Sequence, residues 1–421
     1  MDKHFDIIVA GGGFAGFAAA VAASRQNKKV LLIEKHNCLG GAACYDLVNP
    51  FMPYYTHLTD DNKTLKILSD GIFGEITENL RKHGAMPEQK SYFNEEYLKI
   101  ILNRMAVENN VELLFNAVIF SSETENGKIK AVNVCGVSGC ERIEADFFID
   151  CTGDANLSFM SGCSYKVGRE SDGLCQPMTL CFRMGNIDRN KFNEEVKEIN
   201  PLYKKLFAEG KFKNPREDVL LFHTTIDSII HFNTTRVIKL NPTDMWDVSK
   251  AEIEAREQVV EMVEFLKNNF ASFKDSQLIS SGIQIGARES RMIEGLHTLT
   301  QEEMVACTKF DDGIAACNYD IDIHSPDGSG TSHYYFPAGC YYTIPYRCLI
   351  PKDFSNLLVA GRCISATHEA QASLRIMPVC CTLGEAAGTA AAFALEAQKD
   401  AQFIDINTLR TTLKNNGCVI D

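Results

Sequence analysis

The stretch DIIVAGGGFAGFAAAVAASRQNKKVLLIE, residues 6–34, decides how the rest of the chain is read. Asp6 to Ala10 predicts a buried strand. Gly11-x-Gly13-x-x-Gly16 follows, then an Ala-rich helical run, a second apolar strand from Val30 to Ile33, and an acid, Glu34. Strand, turn, helix, strand and acid in this order make a dinucleotide-binding unit, and each part has a physical job. Gly11 permits the tight turn, Gly13 lets backbone approach a pyrophosphate, and Gly16 lets the helix pack closely on the strand. The helix N-terminus, from Phe14 and Ala15 onward, offers unpaired N–H groups and a positive dipole end to phosphates. Glu34 can accept hydrogen bonds from a ribose diol. An acid here argues against a ribose 2′-phosphate, which would call for an arginine.

After Glu34-Lys35 the pair Gly40-Gly41 suggests a second close approach of backbone to a long cofactor, with Ala42, Ala43 and Cys44 along a planar ring; the alternative is a plain turn. Residues 61–84 have helical spacing through Leu65, Leu68, Ile72, Ile76 and Leu80, and 94–109 through Tyr97, Ile100, Ile101 and Met105. VELLFNAVIF, which carries Val118, predicts one strand, and KIKAVNVCGV pairs with it through an ENGK turn. The next apolar strand runs into Cys151-Thr152-Gly153-Asp154, a turn that returns backbone to the cofactor. Asp154 then binds the cofactor, caps the next helix, or does both.

At 421 residues, 45% hydrophobic and 23% charged, the chain has room for two domains of an ordinary globular protein. A net charge of -13 argues against nucleic acid and anionic membrane as partners. No transmembrane helix is expected; the most apolar run, CCTLGEAAGTAAAFALEA, reads as a buried globular helix. The first strand starts so early that no signal peptide is expected. The 16 cysteines form no Cys-x-x-Cys pair and read as small buried side chains in a reducing cytoplasm, with no metal site expected.

Residues from about 165 to 340 are richer in charge, with short predicted strands and a helix over 249–268 opened by a Ser249–Glu252 capping box. No second Gly-x-Gly-x-x-Gly occurs there in strand-to-helix context, so no separate nicotinamide domain is expected. Arg288 and Arg291 beside Glu289 suggest a carboxylate clamp or a structural pair. His324, His333, Tyr334, Tyr335, Tyr341, Tyr342 and Arg347 suggest a substrate wall. In the C-terminal part a strand from Leu357 to Ala360 leads to Gly361-Arg362, and then to a helix with Pro378 at its first position. That helix start would face a partial negative charge, and the small residues Gly384, Ala386, Ala387 and Gly388 would let it pack tightly on the first unit.

VAGGGFAGFAAAVAA, VLLIEK, LGGAA, DCTGDA, GARES and the tail from IPYRCLIP through LRIMPVCCTLGEAAGTAAA together resemble the bacterial FAD-dependent oxidoreductase family over nearly the whole chain. That family is similar at longer range to fumarate reductase and succinate dehydrogenase flavoproteins. The resemblance implies an α/β fold: a Rossmann-like FAD-binding domain of glutathione-reductase type with an inserted mixed α+β cap. The expected parts are 1–160 and 345–421 for the FAD domain and 161–344 for the cap. It implies pyrophosphate at Gly11, Gly13 and Gly16, adenosine ribose at Glu34, and flavin near Gly41, Gly361 and Met377-Pro378. The FAD is expected to be non-covalent, because the histidine nearest the Gly40-Gly41 loop is His36.

The expected activity is hydride exchange between flavin N5 and a small organic substrate, with Arg288 and Arg375 binding a polar group and His333 or His368 moving the proton. Three readings stay open: reduction of an activated C=C bond, dehydrogenation of a hydroxyl or amine, and a flavoprotein subunit passing electrons to a protein partner.

Overall fold

Side chains of β1 (Lys3–Ala10) alternate between two cores: Ile7 and Val9 pack on one face of the sheet, Ile8 and Ala10 on the other. The computed structural model describes residues 3–58 and 64–421. In it β1 leads through α1 (Phe14–Arg25) to β2 (Val30–Glu34). The main sheet has seven strands and is completed by β3 (Glu112–Phe115), β4 (Val118–Glu125), β5 (Lys128–Gly136), β6 (Gly139–Asp150) and the C-terminal strand Leu357–Val359. Its order is β3-β2-β1-β6-β5-β4, with Leu357–Val359 also on β6. β3, β2, β1, β6 and Leu357–Val359 are parallel, whereas β4, β5 and β6 form an antiparallel meander. This is an α/β fold built on a parallel sheet.

Several expected elements differ in detail. Within 61–84 only α2 (Ile72–Lys82) is helical. Leu65–Ile67 is a short strand instead, and residues 61–63 lie outside the described residues. Gly71, at φ 66°, separates the two, a conformation no helix continues through. In α3 (Glu95–Glu108) Leu98, Ile101, Leu102 and Met105 are buried while Tyr97 and Ile100 face outward, so the apolar stripe is rotated from the expected one. VELLFNAVIF is two strands, not one. Asn116, at φ 53°, breaks it, sending β3 alongside β2 and β4 into the meander.

A second core lies within residues 178–285. There β7 (Phe182–Gly185), α4 (Arg189–Ala208), β8 (Leu221–His223), β9 (Ile230–Phe232), α5 (Met245–Asn269) and β10 (Gln277–Ser281) combine into an antiparallel sheet, β8-β9-β7-β10, whose core contains side chains of α4 and α5. Phe182 and Phe232 stack at 4.9 Å inside it. α5 begins earlier than expected and is capped by Asp244, which accepts from Trp246 and Asp247 N–H. Ser249 lies within the first turns and donates to the Met245 carbonyl. Leu299, Met304, Ile314, Tyr342 and Leu349 pack in the first core with α1, not in this second one.

α6 (Met377–Glu396) crosses against α1 so closely that a Cβ on Gly384 would lie 2.0 Å from the Ala15 carbonyl oxygen, and one on Gly388 2.1 Å from that of Ala19. Its mean hydropathy of 1.3 and its length would suit a bilayer, but 89% of the apolar window is buried inside the protein. It is a core helix by packing. It starts on Met377, so Pro378 is its second residue rather than its first.

Candidate active site

The parallel strands end side by side, and their loops are stitched together by backbone. Gly11 N–H donates to Ile33 O at 2.8 Å, Cys151 N–H to Ala10 O at 2.8 Å, Ala360 N–H to Asp150 O at 3.0 Å, and Gly40 N–H to Gly12 O at 2.9 Å. The candidate residues at 11–16, 34–42, 151–154 and 361–362 therefore share one crevice beyond the carboxyl ends of the strands. That is where open α/β sheets bind ligands.

The glycines of this crevice divide into two kinds. A Cβ on Gly16 would lie 1.7 Å from Gly11 O, and one on Gly11, at φ 94°, would lie 2.6 Å from Cys151 O. Both are required by the protein's own packing. Gly13 is not: its backbone is extended, and the nearest atom to a Cβ there is 3.8 Å away. It leaves a bare stretch of backbone at the start of α1, where no side chain caps the helix. α6 likewise has no side-chain cap at Ile376. In contrast α3, α4 and α5 are capped by Asn94, Asp188 and Asp244. Two uncapped helix starts with small residues around them fit the pyrophosphate and the ring of a dinucleotide flavin.

Glu34 closes the other end. Its carboxylate accepts from Gly12 N–H at 2.6 Å and His36 N–H at 2.9 Å, which leaves further lone pairs for a ribose diol. Lys35 follows it and is exposed, and exposed Val118 is brought close by Ala117 N–H, which donates to Glu34 O at 3.2 Å. Phe14 points into the core against Phe51 at 5.5 Å, so of this residue only the backbone belongs to the helix start. Ala15 meets Gly361, where a Cβ would lie 3.2 Å from its own. Gly41 approaches Gly13, 2.8 Å from a would-be Cβ to the Gly13 Cα, with Ala42 beside it. Cys44 is buried under Gly40 and does not line a ring.

Buried Asp150 shapes the Cys151–Asp154 turn by accepting from Thr152 and Ser158, through backbone and hydroxyl of each. Gly153, at φ 79°, lets the Arg362 guanidinium lie over it, with Nε donating to Gly153 O at 2.7 Å. Arg362 is also ion-paired with Asp154. Burial would raise the Asp154 carboxyl, but Arg362 and Ser290 outweigh it and hold it below its ordinary value. Asp154 does not cap the following helix, whose N-cap position is Ala155.

A polar cluster brings together most of the candidate catalytic residues. Arg288 donates to Pro177 O at 2.7 Å, to Thr179 Oγ1, and more weakly toward Asn233 at 3.5 Å. All its bonded partners are neutral. Burial, reinforced by Arg375, pushes its guanidinium down to about 9. Arg375 donates to Asp322 O at 3.2 Å and lies 3.6 Å from Asp322 Oδ2. Asp322 also meets Tyr319 and His324. Burial opposes its charge, yet His324, Arg375 and Arg288 hold it well below the usual carboxylate range. Behind it Arg236 bonds His324 Nδ1 at 3.1 Å and pairs with Glu217 at 3.3 Å.

Glu289, fully buried, pairs with His368 Nδ1 at 2.8 Å and accepts from Gln176 N–H. Arg291 turns away to Asp154 O and Asn156, against the Phe159 ring. Arg288 and Arg291 therefore do not clamp one group together. His333 is half-exposed, bonded to Asp320 at 2.5 Å and stacked on Tyr335. The expected wall is divided: Tyr342 is buried on Ser373, Tyr341 bonds Lys66, and Arg347 pairs with Asp312 at the surface.

Sequence reading missed Asp322, Arg236 and His231. His231 is fully buried with no hydrogen-bond partner on either ring nitrogen, and burial with Arg183 nearby pushes it down to about 3. It lies on the sheet face opposite the second core, opposite Arg183 in register. The alternation of β9 was the one sequence signal for it: Ile230 and Phe232 face the core, so His231 cannot.

A family model described as FAD dependent oxidoreductase matches residues 6–413. No curated protein matches the chain. Solved structures resembling it include a geranylgeranyl bacteriochlorophyll reductase-like protein from Thermoplasma acidophilum, 12% identical with a TM-score of 0.49, the match covering 99% of this chain and 84% of that one. Another is p-nitrophenol 4-monooxygenase from Pseudomonas putida DLL-E4, 8% identical with a TM-score of 0.47, covering 100% and 91%. A third is a myxobacterial chondrochloren halogenase, 12% identical with a TM-score of 0.46, covering 98% and 78%. These likenesses are too distant to bear on substrate. The family match over nearly the whole chain, on a parallel sheet whose glycine crevice fits a dinucleotide flavin, decides the matter: the chain belongs to the FAD dependent oxidoreductase family and is an FAD-using enzyme.

Proposed function

We propose that this enzyme exchanges a hydride with a small organic anion, bound between Arg288 and Arg375. The observation that carries the reading is Arg288. It is a deeply placed cation whose bonded partners are all neutral and whose neighbour Arg375 is also a cation; the carboxylate nearby, Asp322, bonds Arg375, His324 and Tyr319 rather than Arg288, so Arg288 is left to take the charge of an anionic substrate. FAD supplies hydride transfer at N5 when bound. In this reading Gly13 and the start of α1 hold its pyrophosphate, Glu34 its ribose, and the start of α6 its ring. The residues of the 178–285 core form the cap.

His36 bonds Gln284 at 3.0 Å and packs at a tilt against the Tyr45 ring, which favours non-covalent FAD. Glu289 fixes the His368 ring through Nδ1 and leaves Nε2 to take or give the proton. The paired arginines favour reduction of a C=C bond next to a carboxylate. The fixed His368 favours a dehydrogenase, where a base must take a proton from the substrate.

The test is a titration of the oxidised holoenzyme with fumarate and succinate, followed by the flavin absorption band. Perturbation that saturates in the wild type and weakens by roughly 10²-fold in Arg288→Met supports the reading. Equal affinity in both would remove Arg288 from substrate binding.

A further inference from the structure

The cysteines are mostly buried, and Cys140 is the exposed one. It stands at the tip of the β5–β6 hairpin, where Cys135 and Cys140 are direct cross-strand partners, one pair back from Gly136 and Gly139 at the turn. Residues opposite one another on antiparallel strands have Cα atoms about 4.5–5.5 Å apart, within the span a disulfide bridges. Here the two sulfurs are already 3.0 Å apart, with the Cys140 thiol toward Cys135. A disulfide bond holds its sulfurs about 2 Å apart, so closure needs a movement of only about 1 Å. Gly136 and Gly139 flank the turn residues Val137 and Ser138, and a Cβ at Gly139 would meet nothing, so the tip has room to adjust.

We propose that Cys135 and Cys140 form a redox-active dithiol, a modification site that a hydroperoxide converts to an intramolecular disulfide. The cysteine that reacts first attacks a peroxide oxygen as its thiolate. An S–O bond forms, the O–O bond breaks, and the departing oxygen leaves as water after taking up a proton. The second sulfur then attacks the sulfenic sulfur. The S–S bond forms and the oxygen leaves as a second water. In sum the two thiols lose two electrons and two protons, and hydrogen peroxide is reduced to two waters. Contact with Cys135 raises the Cys140 thiol above its ordinary value, and at 3.0 Å whichever sulfur reacts first has the other in place to resolve it. Exposure of Cys140 gives the peroxide access to the pair. Most other cysteines are buried, and burial raises thiols such as Cys151, Cys163 and Cys363, which makes them poor competitors.

The test uses the full-length holoenzyme, fully reduced and then exposed to a small molar excess of hydrogen peroxide. Remaining thiols are blocked with N-ethylmaleimide before denaturation, and the peptides are mapped by mass spectrometry. Tryptic cleavage after Lys130 and Arg142 leaves both cysteines in one peptide, residues 131–142. The expected result is a peptide lighter by two hydrogen atoms, carrying no maleimide and restored by dithiothreitol. Cys140→Ser should lose that species and carry a sulfenic acid at Cys135 instead, with its flavin spectrum unchanged. If the wild-type peptide takes up two maleimides after peroxide, or carries separate sulfinic acids on the two cysteines, the proposal is overturned.

Discussion

His368 and Glu289 meet through Nδ1 and Oε1 at 2.8 Å, both buried, and Glu289 also accepts from the Gln176 backbone. A carboxylate accepts, so the Glu289 contact selects the His368 tautomer with its proton on Nδ1, the form whose Nε2 carries the lone pair. On the proposed function, His368→Asn lowers the rate at which substrate reduces or reoxidises the flavin by roughly 10²-fold or more. The flavin spectrum stays intact. Stopped-flow absorbance measures this, and an unchanged rate would remove His368 from proton transfer.

The glycines of the first loop separate folding from cofactor binding. Gly16→Ala places a methyl 1.7 Å from Gly11 O, a backbone atom that cannot yield, so the variant is expected to be poorly folded. Gly13→Ala meets no protein atom within 3.4 Å, the nearest being at 3.8 Å. Its circular dichroism and melting as apoprotein should match the wild type, while its FAD affinity falls. Equal FAD affinity in Gly13→Ala would show that the phosphates lie elsewhere.

Glu385 on α6 sets a pH dependence. It accepts from Ile72 N–H at 2.9 Å, but burial dominates and raises its carboxyl to about 7, above the ordinary value of 4.5. Between these two values the unfolded chain releases the proton while the folded chain keeps it. Stability from this group is therefore full below the lower value, falls as pH rises through the window, and levels off above about 7. Glu385→Gln retains an acceptor for Ile72 and carries no charge. Its melting temperature, relative to wild type, should rise from pH 5 to pH 8; a difference independent of pH would contradict the assignment.

The start of α5 offers a paired comparison. Asp244 accepts from the N–H groups of Trp246 and Asp247, so Asp244→Ala should cost about 1 kcal/mol. Ser249 bonds the Met245 carbonyl within the helix, and Ser249→Ala should cost nothing or stabilise slightly. Urea midpoints read both, and the reverse order would restore Ser249 as the cap.

Those two residues also mark where sequence reading stopped. The Ser249–Glu252 pattern was locally sound, but Asp244 makes the same bonds one turn earlier, and nothing local ranks the two. The crevice from Gly11 to Glu34 was legible because each residue acts on neighbours within one strand–helix–strand unit. The polar cluster was not. Glu217, Arg236, Asp322 and Arg375 come from distant segments and meet only through tertiary packing. Arg288 and Arg291 looked like one clamp because they are near in sequence, yet Arg291 turns to Asp154 and Asn156 while Arg288 faces Thr179.

The central claim, hydride exchange with a small organic anion at this site, is tested most directly by anaerobic absorption spectroscopy of the flavin. Dithionite-reduced enzyme is mixed with unsaturated carboxylic acids, and oxidised enzyme with hydroxy acids and amino acids. The account predicts that at least one anionic compound restores or bleaches the oxidised band, and that Arg288→Met loses this response. If only neutral compounds change the band, with wild type and Arg288→Met alike, the account is contradicted.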